Sequence, residues 1–409
     1  MKNSFKLGIQ LAGALVGAII VGTVLLVIVY ALPIDEMKNN VRRSIPVYDY
    51  EGVYPQLMGG YKMSQLDNST DATMLMNAIY PGSDDTIKDA MNVYRIEYRD
   101  RHPVDCLTDY ANDVKGETYT ISYPRYWHGY LVILKPLLLF FDVADIRMFS
   151  MILLIAIVLY ILGLMEKKGM RGYLPWFVVT LITLSPMTIP VSFQFSAVTY
   201  IALLASIIVL RTECWDIKKQ MLFFMVIGIF TAYFDFLTFP LVGLYFPMIF
   251  LILKERDWKR ATQTIILGSI MWIIGYVGMW GGKWLIGSLL TGGNFFADAL
   301  SRAGHYSGAD DVSRLQIVLK NIRVLIKWPI VILGCGSLIK LLTSLVAGMK
   351  TKCVNWKWGI PFGLIVLAPF VWYIAAGSHS YIHYWFTYRE LCVAIFAFMI
   401  GMQRVSGME

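Results

Sequence analysis

The sequence predicts an all-α protein that crosses a membrane about ten times and carries a large, partly helical polar loop after its first span. Apolar residues make up 57% of the 409 residues and charged residues 16%, which is more apolar than a soluble domain. The apolar residues form runs close to the about 20 residues with which a helix crosses a bilayer. The polar residues are concentrated in one hydrophilic block, 33–125.

Ten apolar runs are predicted to span the membrane. They are 9–32, 145–165, 173–190, 193–211, 221–235, 237–254, 264–285, 324–346, 358–376 and 388–403. The first run is longer than the apolar core of a signal peptide, so we expect it to stay as the first span. The chain therefore divides into a first span at 1–32, an extracytoplasmic loop at 33–127 and a multi-span domain at 128–409.

The apolar stretch 128–142 is a special case, because it is short and Lys135-Pro136 interrupts it. A proline inside a helix removes a hydrogen bond and bends the helix. We interpret the stretch as an interfacial or re-entrant helix. If it crossed the bilayer, the number of spans would be odd, and the two ends of the chain would lie on opposite sides.

Lysine and arginine predict the orientation, because they concentrate in cytoplasmic loops. One set of connections holds Lys167, Lys168, Arg171, Arg211, Lys218, Lys219, Lys254, Arg256, Lys259, Arg260, Lys350, Lys352 and Lys357. The opposite turns hold Arg389 and little else. The pattern predicts a multi-pass protein of the cytoplasmic (plasma) membrane with both termini in the cytosol. The net charge of +8 then reflects this topology, and no nucleic-acid partner is expected.

All five histidines fall in predicted outer segments: His102, His128, His305, His379 and His383. This distribution indicates chemistry or phosphate binding at the outer face. The five cysteines lie in dissimilar places and suggest neither a disulfide framework nor a CxxC metal site. The acid pairs Asp84-Asp85 and Asp310-Asp311 are typical of turns, so no metal site and no cofactor are expected.

The segment from Ser64 to Tyr80 is predicted to form a short helix within the first loop. Ser64 followed by Asp67 fits a reduced capping box, and Pro81-Gly82 ends the helix. Asp67 and Asp71 are four residues apart and would share one face. The pair could act as a base and its support. Alternatively, Asp67 caps the helix and Asp71 faces water.

Cations and aromatic residues precede the apolar stretch in the segment Tyr123-Pro-Arg-Tyr-Trp-His-Gly-Tyr130. Arg125, His128 and the later Lys135 could bind a phosphate, because arginine offers a planar pair of donors and histidine adds another. Trp127 would then contact the substrate. The alternative is an aromatic belt with cations that reach the membrane surface.

A second such segment, His379-Ser-Tyr-Ile-His-Tyr-Trp-Phe-Thr-Tyr-Arg-Glu390, precedes the last span. Arg389 at this depth is costly unless Glu390 or a bound anion pairs with it. The N-terminus of the last helix also favours an anion. We therefore predict that His379, His383 and Arg389 bind a phosphate and that Tyr388 contacts the substrate.

Two polar residues near other outer turns complete the candidates. Asp235 either caps the next helix or belongs to the site. Gln194 could hydrogen-bond a sugar or a neighbouring helix.

The topology and four of these segments resemble the GT-C glycosyltransferases, a superfamily that includes protein O-mannosyltransferases, arabinosyltransferases and aminoarabinose transferases. The segments are Asp67–Asp71, Arg125–Gly129, Asp235–Pro240 and His379–Arg389. They are also similar to segments of multi-span membrane proteins of Gram-positive bacteria. The topological resemblance covers most of the chain, whereas the motifs are short.

The resemblance implies an enzyme that transfers a hexose or pentose, with inversion, from a polyprenyl-phosphate donor to a cell-envelope acceptor on the outer face. An acid of the first loop would act as base, so this role would fall on Asp67 or Asp71, with Glu51 as a further candidate. Asp67 lies further beyond the first span than the acid of many members. The alternatives are a polymerase or ligase of lipid-linked saccharides and a flippase, although a flippase would need charges within its spans.

Overall fold

The computed structural model of the chain describes residues 2–213, 215–307 and 312–407. Eight of the described helices are long and apolar enough to cross a membrane. They are α1 (Lys2–Tyr30), α7 (Val143–Lys167), α9 (Phe193–Arg211), α10 (Ile217–Phe234), α12 (Trp258–Thr291), α15 (Trp328–Lys350), α16 (Gly359–Ala375) and the segment Tyr384–Ser406. The last segment consists of α18 (Tyr384–Thr387), a 3₁₀ turn (Tyr388–Glu390) and α19 (Leu391–Ser406). The prediction of an all-α polytopic membrane protein is confirmed at this level.

Two of the ten predicted spans correspond to shorter helices. The run at 173–190 contains α8 (Leu174–Thr183), and the run at 237–254 contains α11 (Leu241–Leu253). Helix α8 ends before Ser185, whose φ of +56° lies in the left-handed region, and Pro186 follows. With 10 and 13 residues, neither helix has the about 20 residues needed to cross a bilayer alone.

The predicted polar loop is folded. It contains α2 (Asp35–Glu51), a 3₁₀ turn (Lys62–Ser64), α3 (Asn68–Ala78), α4 (Thr86–Asn92), β1 (Arg95–Tyr98), α5 (Pro103–Ala111) and β2 (Thr118–Ile121). Strands β1 and β2 pair antiparallel, with Arg95 opposite Ile121. The hairpin and α2 were not predicted. The predicted short helix is confirmed as α3, although it begins at Asn68 rather than Ser64, with Asp67 as its N-cap.

The remaining short helices lie next to the spans. They are α6 (Leu131–Leu138), α13 (Phe295–Ser307), α14 (Arg314–Leu325) and α17 (Gly377–Ile382), with further 3₁₀ turns at Arg171–Tyr173 and Trp356–Trp358. Helix α6 contains Pro136 and is too short to span. Its length agrees with the interpretation of 128–142 as a non-spanning helix.

Close backbone contacts hold the centre of the bundle together. A Cβ atom at Gly228 of α10 would lie 2.2 Å from the carbonyl oxygen of Trp272 in α12, and one at Gly275 of α12 would lie 2.1 Å from that of Met225. These glycines let the two helix backbones touch, as small residues do in membrane helix pairs. Helices α1, α7 and α15 instead expose large apolar side chains such as Ile28, Leu159 and Ile332, as contact with lipid requires.

Candidate functional site

A cavity of about 330 Å³ lies where the folded polar loop meets one end of the helix bundle. Its wall comes from α3, the β hairpin, the segment 121–128, the start of α9, the turn after α10, α13, and the segment 379–386. Its volume is within the about 300–1,000 Å³ of small-molecule sites. The lining residues are Asp67, Thr70, Thr73, Met74, Asn77, Arg95, Ile121, Ser122, Tyr123, Arg125, Tyr126, His128, Gln194, Phe236, Arg302, His379, His383 and Phe386.

Three arginines line the cavity. Arg95 Nε donates to Glu97 Oε1 at 2.6 Å, and Arg125 Nη1 lies 3.3 Å from Asp298 Oδ2. Both guanidinium groups lie on the ring of Tyr123, at 5.7 and 4.6 Å from its centroid. Burial lowers the pKa of His383, and the charge of the nearby Arg302 lowers it further. Partly paired arginines on an aromatic face keep donors for a bound anion.

Within the part of the chain that the structure describes, Asp67 is the one carboxylate that lines the cavity. It is the N-cap of α3, and its Oδ1 accepts a hydrogen bond from the backbone N–H of Thr70 at 3.0 Å. Burial raises the pKa of Asp67, and the Thr70 hydrogen bonds and the nearby His102 oppose this shift. A carboxylate with a raised pKa is a stronger base for an acceptor hydroxyl. Both sequence interpretations of Asp67, as cap and as site residue, therefore agree with its position.

His128 lies in the wall in a strained conformation, with a φ of +55°. Its Nε2 donates to the carbonyl oxygen of Tyr123 at 2.8 Å. Burial lowers the pKa of His128 well below its usual value, and the ammonium of Lys283 lowers it further. The ring is therefore neutral at pH 7, and its Nδ1 is an acceptor without a partner among the described residues.

Gly129 lets the segment after His128 approach the end of α10 closely. A Cβ atom there would lie 2.3 Å from the ring of Tyr233 and 2.5 Å from its carbonyl oxygen. The N–H of Gly129 donates to that same oxygen at 2.9 Å. The close approach ties the His128 segment to the end of α10, so the histidine is held in the wall by the spans.

The rings of His379 and His383 are in contact, with centroids 4.8 Å apart and planes tilted by 49°. His379 Nε2 donates to the carbonyl oxygen of Leu237 at 2.8 Å. Burial lowers the pKa of His379 to about 3 and that of His383 to about 4. Both rings are neutral at pH 7, so they can hydrogen-bond a ligand without adding charge. Another of the predicted outer histidines, His305, lies in α13, and its side chain is outside the part of the chain that the structure describes.

Two buried amide side chains of the wall have oxygen atoms without a hydrogen-bond partner among the described residues. They are Asn77 Oδ1 and Gln194 Oε1. Asn77 Nδ2 donates to the hydroxyl of Tyr130 at 3.0 Å, which fixes the orientation of the amide. An unpartnered buried acceptor is costly, and hydroxyl groups of a ligand would satisfy both oxygens.

Asp71 and Glu51, the other candidate bases, do not line the cavity. Asp71 accepts hydrogen bonds from the Ser192 hydroxyl and from the backbone N–H groups of Phe193 and Gln194, at 3.1–3.3 Å. It thus caps the N-terminus of α9 rather than facing water. Glu51 accepts hydrogen bonds from both terminal nitrogens of Arg147, at 2.6 and 3.1 Å.

Arg389 and Lys135, two of the predicted phosphate ligands, are also outside the wall. Arg389 is fully buried, and its Nε and Nη2 donate to the Leu184 carbonyl and the Thr188 hydroxyl at 3.0 and 2.7 Å. It does not pair with Glu390, whose carboxylate accepts the N–H of Leu241 instead. Lys135 Nζ donates to the carbonyl of Ala78, the last residue of α3, at 2.7 Å.

The remaining candidates also make structural contacts. Asp235 accepts hydrogen bonds from the N–H and hydroxyl of Thr238 in the turn between α10 and α11. The N-cap of α11 is Pro240, so the interpretation of Asp235 as the cap of the next helix is wrong. Trp127 Nε1 donates to the Met279 carbonyl at 2.6 Å, and the Tyr388 hydroxyl donates to the Met63 carbonyl at 3.2 Å. Of the predicted site residues, the cavity gathers Asp67, Arg125, His128, Gln194, His379 and His383.

Sequence reasoning missed Arg95, Arg302 and Asn77. Arg95 lies in the alternating segment Tyr94-Arg-Ile-Glu-Tyr98, which is typical of a strand and could have indicated the hairpin. Arg302 lies in the outer segment around α13 and carried no motif.

The donor set does not resemble a metal centre. Among the described residues, no group of three or more His, Cys, Asp or Glu could hold a metal ion. No protein-family model, curated protein or solved structure matches the chain.

Proposed function

We propose that this protein is a membrane glycosyltransferase that moves a sugar from a polyprenyl-phosphate donor to a hydroxyl of a cell-envelope acceptor at the extracytoplasmic face. One observation carries the proposal. A single buried carboxylate, Asp67, lines the same cavity as three arginines and three histidines that come from distant parts of the chain.

The arrangement suits displacement of a phosphate from a sugar. The acceptor oxygen attacks the anomeric carbon, the bond from that carbon to the phosphate oxygen breaks, and the lipid phosphate leaves with the electron pair. Asp67 takes the proton of the acceptor hydroxyl. Attack opposite to the leaving group inverts the anomeric configuration.

The arginines suit the leaving group. Negative charge grows on the phosphate as the bond breaks, and fixed cations aimed at the phosphate stabilise it. Arg125 and Arg302 are the proposed phosphate ligands, and the neutral ring of His383 beside them can donate a further hydrogen bond. The one N–H of His379 already donates to the Leu237 carbonyl, so its Nδ1 can only accept a hydrogen bond from a ligand hydroxyl. A phosphate is already a good leaving group, so the mechanism needs no separate acid.

The neutral part of the wall suits the sugar. Asn77 and Gln194 offer unpartnered oxygens to sugar hydroxyls, and Tyr126 and Phe236 pack edge to face beside them at 5.7 Å. The cavity lies at the ends of α9, α10 and α16 that the positive-inside pattern assigns to the outer face. These features support a saccharide ligand on that side.

The test is a transfer assay with the purified full chain in proteoliposomes. Labelled polyprenyl-phosphate hexoses and pentoses are added with a cell-envelope fraction as acceptor. We expect labelled sugar to leave the lipid and to appear in the acceptor with inverted configuration. Intact donor moved between leaflets would instead support a flippase, and consumption of pyrophosphate-linked saccharides alone would support a polymerase or ligase.

A further inference from the structure

Three lysines from separate parts of the chain converge beside the cavity. Lys62 lies in the 3₁₀ turn before α3, Lys320 in α14, and Lys327 just before α15. We call them the lysine cluster. The apolar contacts of Met63 with Val324 and Tyr388 hold these segments together, so the convergence is built into the fold.

The ammonium groups lie on aromatic rings rather than against carboxylates. Lys320 Nζ is 3.6 Å from the ring centroid of Tyr381 and 4.4 Å from that of Tyr384. Lys62 Nζ lies 5.7 Å from the same Tyr384 ring. Lys327 Nζ lies 5.7 Å from the ring of Tyr61. The rings face the cations and offset part of their repulsion.

The cluster lacks a balancing charge within the described part of the chain. No ion pair of at most 4 Å joins any of the three lysines to a carboxylate there. Burial lowers the pKa of Lys320, and the charge of Lys62 lowers it further. Like charges held together without a counter-charge raise the free energy of the fold, and a bound anion would remove this cost.

The position of the cluster indicates where that anion comes from. Lys327 lies directly before the candidate span α15, and Trp328 beside it is 80% exposed. Leu315 and Leu319 on α14 are exposed as well, so α14 presents apolar side chains outward beside its lysine. Exposed tryptophan, leucine and lysine at the start of a span are typical of the lipid head-group level.

The cluster is also connected to the cavity. Trp385, whose ring lies 5.9 Å from Lys62 Nζ, packs edge to face on His383 at 5.3 Å, and His383 lines the cavity. A lipid whose phosphate rests on the cluster would therefore be next to the cavity wall.

We propose that Lys62, Lys320 and Lys327 form a second anion site, which binds the phosphate of a membrane lipid at the bilayer boundary beside the cavity. The lipid is either a phospholipid or the lipid-phosphate carrier; only the latter source rests on the proposed transfer reaction. The aromatic rings contact the lipid below its phosphate, and the ammonium groups donate to the phosphate oxygens.

The test is equilibrium binding to the detergent-solubilised full chain by native mass spectrometry. The probes are a short-chain phosphatidic acid, farnesyl phosphate, farnesol and inorganic phosphate. We expect both lipid phosphates to bind more tightly than farnesol and inorganic phosphate. In Lys62→Gln/Lys320→Gln their affinity should fall about tenfold or more, because two charge-assisted hydrogen bonds are lost. Tighter binding of farnesyl phosphate than of phosphatidic acid would identify the carrier as the source.

The matched control is Lys88→Gln/Lys115→Gln, which removes two lysines of the polar loop outside the cluster and should leave binding unchanged. Equal affinity in the cluster variant and the wild type would overturn the proposal. Binding of farnesol as tightly as farnesyl phosphate would also overturn it, because the phosphate would then contribute nothing. Lipid binding is measured without turnover, so its result does not depend on whether the proposed transfer reaction occurs.

Discussion

The cavity wall and a second set of buried polar residues, which we call the polar frame, contain the same residue types but differ in their hydrogen bonding. The polar frame consists of Asp71, Glu51, Lys135, Asp235 and Arg389, all outside the cavity lining. Each charge of the frame is matched by backbone groups or by a fixed side chain. In the wall, acceptors of Asn77, Gln194 and His128 have no partner within the described chain. A buried polar side chain therefore indicates a ligand site here only where some of its hydrogen-bonding atoms, or those of its neighbours, have no partner in the described chain.

Asp67→Asn should give the largest effect, because Asp67 is the only carboxylate among the described residues of the wall. General-base catalysis contributes about 10²–10⁴-fold, so we expect the transfer rate to fall by about that factor while donor binding persists. The measurement is initial transfer rate at saturating labelled donor. The control is Asp105→Asn, which changes an exposed acid of the same polar loop. Full activity of the Asp67 variant would move the base to another group.

Arg389→Gln should act on stability rather than on the donor, because Arg389 belongs to the frame. Removal of the guanidinium leaves the Leu184 and Trp385 carbonyls without their donor. Each buried acceptor left without its donor costs about 1–3 kcal/mol. We expect a lower thermal unfolding midpoint in detergent, with unchanged donor affinity in the folded fraction. Exposed Arg256→Gln should leave both unchanged. Weaker donor binding at an unchanged midpoint would return Arg389 to the phosphate site.

Arg125→Gln should weaken donor affinity by about tenfold, the scale of one charge-assisted hydrogen bond. The change also breaks the contact with Asp298, so Asp298→Asn is the matched control. It breaks the same ion pair but keeps the cation. We expect Asp298→Asn to bind donor at least as tightly as the wild type. If both variants weaken binding equally, the ion pair rather than the phosphate contact explains the effect.

Much of this architecture could be predicted because hydrophobic length and lysine and arginine counts are local properties. The eight long helices follow from them, and α3 follows from its capping residues and the Pro81-Gly82 stop, which are local as well. The hairpin could not, because β1 and β2 are four residues each and depend on pairing across 19 intervening residues that carry no repeated pattern. The short lengths of α8 and α11 could not be predicted, because apolar runs buried in protein and apolar runs facing lipid have the same composition.

The site could be predicted only in part for a related reason. Asp67, Arg125, His128 and His379 were found because they stand out in outer segments. Asp71 and Arg389 stood out equally, and only their partners on α9 and on the Leu184 turn show that they belong to the frame. Those partners are more than 100 positions away in the chain, and no spacing rule reaches that far.

The smallest predicted effect is a pH dependence of stability that separates Asp71 from the wall. Burial raises the pKa of Asp71 from 3.8 to about 7, although the Arg147 charge and the Gln194 N–H oppose this. The folded state therefore holds the proton more tightly than the unfolded state. The stabilisation is fully present below about pH 4 and is lost as pH rises through about 7.

Asparagine does not titrate, so Asp71→Asn should lack this component of the pH profile. We expect the thermal unfolding midpoint of the variant to rise relative to that of the wild type between pH 5 and pH 8, by on the order of 2 °C. Asp105→Asn, which changes an exposed acid, should show no such pH-dependent gain. A constant difference between Asp71→Asn and wild type across this range would mean that Asp71 stays ionised throughout. The Asp71 carboxylate would then cap α9 in its charged form, stabilised by its three hydrogen-bond donors, and a buried charge could be stable in the polar frame as well as in the cavity wall.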